Sequence, residues 1–153
     1  MFTPYGIFKL FHVIAAIAWV GGDIMLLLLA QQVRANGTSA EMSALLARME
    51  HFSKTFFAPL SVVTLLMGIG MAVIGDLFAA SWVSLGFLGI FASAGIGMGL
   101  LTPQARRLRA IIDTRGKDDP EAVSLGSKML LWARLDVLVL VIVVAAMVLK
   151  PGM

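Results

Sequence analysis

Four apolar runs of bilayer length, a charged fraction of only 14% and basic residues gathered into alternate connections predict an all-α fold. The expected architecture is an integral membrane, up-and-down four-helix bundle. Soluble domains carry roughly 25% charged residues, whereas this chain is 59% hydrophobic over 153 residues. The apolar runs account for most of that length, so the whole chain, 1–153, reads as a single four-span domain with no room for a separate soluble one.

The first run, Gly6 to Ala30, meets the roughly 20 residues that a bilayer requires. It lacks the basic leader and small-residue cleavage pattern of a signal peptide and is expected to stay in the mature protein. The second run is Thr55 to Ile74. Its helix is expected to begin near Ser39, because Thr38 followed by Glu41 is a capping-box pattern and Met42, Leu45, Leu46 and Met49 make one apolar face. Pro59 is a candidate kink. The third run, Trp82 to Leu101, is expected to continue as helix through Arg106, Arg107 and Arg109 and to stop near Gly116. The fourth, Leu131 to Leu149, belongs to a helix that Asp119 caps, with Pro120 and Glu121 in its first turn and Lys150 and Pro151 at its end.

Orientation follows from charge. The first connection holds Arg34, Arg48 and Lys54, the third holds Arg106, Arg107, Arg109, Arg115, Lys117 and Lys128, and the second holds no basic residue. The positive-inside rule then places the first and third connections in the cytoplasm, both termini outside, and the helix extensions on the cytoplasmic side. The net charge of +3 comes from these flanks. It indicates contact with anionic lipid at the bilayer surface and no nucleic-acid partner. Absence of cysteine excludes disulfides, thiolate-held iron-sulfur clusters and thioether-attached haem.

Chemistry concentrates in the first run. His12, Ala15, Ala16, Trp19, Gly22 and Asp23 recur at steps of three and four and so share a helix face. An ionisable side chain at bilayer depth marks a ligand, a relay or a paired charge, and the small residues beside it admit either a close helix or a flat cofactor. His12 is either a structural hydrogen-bonding residue or a ligand for haem iron or copper, with Trp19, Gly21 and Gly22 shaping a pocket. His51, the other histidine, belongs to the cytoplasmic surface beside Glu50 and Lys54, too far away to share an iron. Met71 and Met147 are the candidate thioether ligands on the outer side, or core filling.

Asp23 lies about 16 Å down the helix from His12 at 1.5 Å per residue, at the level of Arg134 and Asp136 in the fourth run. Two arrangements are open: an ion pair between Asp23 and Arg134, or a proton or ion path through Asp23 and Asp136. Gly68 to Met71 and Gly95 to Met98 repeat a Gly-Ile-Gly-Met pattern, and Gly89, Ser93 and Gly97, like Gly95 and Gly99, have the spacing of tight helix packing in lipid. No nucleophile triad, phosphate loop or zinc signature is present.

The run from His12 to Gly22, HVIAAIAWVGG, resembles the first helix of the CopD-like superfamily of small bacterial membrane proteins, which includes copper-resistance proteins and protoporphyrinogen oxidases of the HemJ type. The Met147 to Pro151 ending is similar to an uncharacterised branch of integral membrane proteins in that group. The resemblance implies a four-helix fold in a bacterial inner membrane and a haem b held through His12. By the copper-resistance comparison, it implies instead a copper path through that residue. The expected functions are therefore a b-type cytochrome-like protein in electron transfer, enzymatic only as a haem-dependent membrane oxidoreductase; a copper or small-solute transport component using His12 and methionines; or an accessory subunit. A chain this small is expected to form a homo-oligomer or join a larger membrane complex.

Overall fold

A computed structural model describes residues 3–151, and all regular structure among them is helical. Four long helices follow one another: α1 (Pro4–Asn36), α2 (Ser39–Ile74), α3 (Ser81–Arg115) and α4 (Pro120–Leu149). Each is long and apolar enough to cross a membrane. The four expected spans lie inside them.

The helix ends are set by local chemistry. The Thr3 hydroxyl accepts from the Gly6 amide to start α1. Thr38 and Glu41 exchange both bonds of a capping box at the start of α2, 3.2 Å and 2.7 Å long. The Asp119 carboxylate accepts from the Glu121 amide at the start of α4, and Gly116, at φ 87°, takes the left-handed backbone that ends α3.

Neighbours in sequence are antiparallel neighbours in space, and α4 returns to α1 to close the ring. His12 of α1 meets Thr64 of α2, Ser43 of α2 meets Asp113 of α3, Ser81 of α3 meets Pro151 beyond α4, and Arg34 of α1 meets Ser127 of α4. Two apolar clusters close the ends. Met42, Leu46, Leu108, Ile112 and Met129 pack where the first and third connections lie, and Ala72, Trp82 and Val83 pack at the opposite end. Around the outside the apolar side chains point away from the protein: Ile17, Leu88 and Val148 are 67%, 67% and 73% exposed.

Pro59 and Pro103 do not break their helices. In each case the helix widens to a π form just upstream, at Ser53–Phe57 and at Gly95–Leu101. A proline has no N–H to give the preceding turn and its ring crowds the carbonyl four residues back, and a π turn is one way a helix absorbs that defect without stopping.

Candidate functional site

The helix face predicted from α1 splits into two separate environments. At one end the His12 ring lies on the backbone of α2, its Nδ1 2.8 Å from the Thr64 carbonyl oxygen. Since the carbonyl can only accept, Nδ1 carries the proton and Nε2 is the ring's free acceptor. Gly68 makes the approach possible: a Cβ there would stand 3.2 Å from His12 Cε1. The small residue that receives the imidazole is thus on the neighbouring helix, where sequence spacing gave no sign of it.

A porphyrin on His12 would need an open slot beside the ring. The cavity shared by the four helices is lined by Trp19 but not by His12, and the other residues expected at a haem do not converge on the imidazole. Gly21 faces open space, because two residues from Trp19 turn it roughly 200° around the helix. Gly22 receives Phe56 and Phe57. Met147 packs into the Ala72–Trp82–Val83 cluster against Gly86, and Met71 is half-buried one turn beyond Gly68. Among the described residues no three His, Asp or Glu side chains gather as a metal site.

Further along the same face the bundle interior holds a cavity of about 120 Å³. Trp19 and Asp23 of α1, Ser53 of α2, Ser93 and Gly97 of α3 and Asp136 of α4 contribute to its wall, which is otherwise mainly apolar. Asp23 and Asp136 face each other, with Ser93 beside Asp136. Asp136 is 3% exposed and Ser93 2%. Asp23 Oδ2, Asp136 Oδ1 and Ser93 Oγ have no hydrogen-bond partner outside this cluster among the described residues. Buried polar atoms are nearly always satisfied, so three such atoms from three helices at one cavity mark this region above any other.

Arg134 does not complete the pair. It is exposed and takes part in none of the ion pairs among the described residues. The reason is rotational: two residues along α4 turn a side chain through about 200°, so burying Asp136 sends Arg134 outward. Of the two arrangements open from level alone, the Asp23–Arg134 ion pair is not formed, and Asp23 lies instead beside Asp136.

Both π segments reach this cavity. Thr102 Oγ1 donates to the Gly97 carbonyl at 2.9 Å, and its single proton is thereby used. The Ser53 hydroxyl, 2.9 Å away, must then donate to Thr102. This chain of two hydroxyls ties α2 to α3 where both helices are widened. Gly95, Gly97 and Gly99 have nothing within 4 Å of a would-be Cβ. They do not form the helix contact that their spacing suggested, whereas Gly89 of the same spacing does, receiving Val143 of α4, and Gly86 beside it receives Met147.

Toward the first and third connections the cavity wall includes Arg34 and Glu50. Arg34 donates to Ser127 Oγ at 2.6 Å. Glu50 binds Lys54 at 3.1 Å and Arg106 at 2.8 Å. The Lys54 hydrogen bond, with help from the Arg106 charge, holds the Glu50 carboxyl below the usual glutamate range. His51, next to it, is exposed.

No protein-family model, curated protein or solved structure matches this chain. The functional reading therefore rests on the geometry.

Proposed function

We propose that this is a multi-pass protein of a bacterial inner membrane, with both termini outside, and that it conducts or couples a proton or small cation at the Asp23–Asp136 pair. Membrane insertion is supported by the outward-facing apolar belt, because contiguous apolar surface on this scale is not tolerated in water. Orientation is supported by the basic residues of the first and third connections, which share one end of the bundle.

The single observation that carries the transport reading is a pair of carboxyls with no cationic partner among the described residues, adjacent to each other at a cavity inside a bundle of span-length helices. Two adjacent buried carboxyls cannot both stay charged without a compensating cation. The pair therefore exchanges a proton or a cation whenever it meets water. The other charged groups at the cavity are Arg34 and Glu50, both toward the connection end and both already engaged.

Reconstituted into liposomes holding a pH dye, the protein is expected to admit protons when a potassium diffusion potential drives them. Asp136→Asn should remove that flux while the helical circular dichroism stays intact. Flux no greater than that of empty liposomes would overturn the reading.

A second reading, in which His12 holds haem iron or copper, is supported by the tautomer: a histidine that donates Nδ1–H to a backbone carbonyl presents Nε2 as a metal ligand usually does. The resemblance to the CopD-like superfamily points the same way. Metal analysis and the visible spectrum of the purified protein decide it, a Soret band lost in His12→Ala being the supporting result for haem.

A further inference from the structure

Three oxygens, Asp23 Oδ2, Asp136 Oδ1 and Ser93 Oγ, come from three different helices, adjoin one cavity and have no hydrogen-bond partner outside their own cluster among the described residues. From this arrangement we infer that the cavity is a binding site for a primary ammonium ion carrying a short hydrocarbon chain.

The chemistry matches in number, charge and shape. A primary ammonium has three N–H donors and no acceptor, and the site offers three acceptors, two of them carboxyl oxygens. With one proton retained between the carboxyls, the pair carries a single negative charge, which one ammonium neutralises. The rest of the wall is mainly hydrocarbon and aromatic, with Trp19, Leu26, Leu27 and Met98 in it and the charged Arg34 and Glu50 at its connection end, so it suits an alkyl chain. Size points the same way. The volume of about 120 Å³ is less than the roughly 300–1,000 Å³ of sites for drug-sized ligands and near the roughly 150 Å³ that accommodates benzene.

This deepens the transport reading and rests on it only for the claim that the bound cation moves; binding itself is a separate fact. The full-length protein in lipid nanodiscs is titrated with propylammonium chloride, and with tetramethylammonium chloride and sodium chloride at equal ionic strength, following thermal midpoint and tryptophan fluorescence. Propylammonium is expected to raise the midpoint saturably. Tetramethylammonium, which has the charge but no N–H donor, is expected to have no such effect. Ser93→Ala, which removes one acceptor and leaves both carboxyls, should weaken propylammonium binding roughly ten-fold or more, the usual loss for one hydrogen bond to a charged group.

Equal shifts with all three salts, no shift with any of them while the circular dichroism is native, or undiminished binding in Ser93→Ala would each overturn the assignment. Saturable binding without ion flux in liposomes would support the site and overturn the transport reading; proton flux without amine binding would do the reverse.

Discussion

At the scale of single residues, the outcome of a substitution depends on how far the facing side chain can yield. Gly86 and Gly89 lie on one face of α3 against α4, where a methyl group at either position would collide with Met147 or Val143 respectively. Methionine is unbranched and can swing its terminal methyl aside, whereas valine is fixed at χ1 in a helix. Gly89→Ala is accordingly expected to destabilise the bundle by about 1–3 kcal/mol, the range for overpacking, and Gly86→Ala by clearly less. Thermal or denaturant unfolding in one detergent, with the two variants side by side, checks the order. His12 follows the same logic. Its ring is accommodated because Gly68 has no side chain, and the imidazole supplies a donor to the Thr64 carbonyl that nothing in its own helix suggests.

At the scale of elements, the ends of α2, α3 and α4 near the first and third connections are held by charge as well as by packing. Glu41 is held below the usual glutamate range chiefly by the Thr38 backbone N–H, and Glu121 chiefly by Arg115 and then Arg107. A carboxyl whose folded pKa is depressed contributes stability above its unfolded value, about 4.3 for glutamate, and that contribution disappears as pH falls through the folded value. Acidification from pH 6 to pH 3 is thus expected to lower amide hydrogen-exchange protection, relative to the intrinsic rate at each pH, in 39–52 and 104–125 before it affects the apolar middles of the helices. Uniform protection at both pH values would count against this. The cap acts independently of the bundle: Thr38→Ala should cost about 1 kcal/mol and loosen the same segment at neutral pH.

At the scale of the whole molecule, the ring of four antiparallel helices puts both described chain ends and the α2–α3 connection at one end and the basic connections at the other. The chain contains no cysteine, so single cysteines report sidedness without background. In intact spheroplasts Ala79→Cys should react with a membrane-impermeant maleimide and Asp118→Cys should react only after lysis. The reverse pattern would invert the proposed orientation.

The amino-acid sequence by itself determined the elements: four span-length helices, the start of the second at Ser39, the cap at Asp119 and the stop at Gly116. Each is a local property, set by hydrophobic run length and by side chains reaching their own backbone within a turn. It also placed His12, Trp19 and Asp23 on one face, because helical periodicity is fixed. Only the tertiary structure decided what that face meets. Arg134 and Asp136 stand at the same height, and the rotation of α4 about its axis, which depends on packing against three other helices, turns the carboxylate inward and the guanidinium out. Likewise only packing placed Ser93 beside the carboxyls and the Thr64 carbonyl over His12. Periodicity assigns residues to a face, but the partner of that face lies tens of residues away along the chain, and its choice is a long-range packing result that no local pattern encodes.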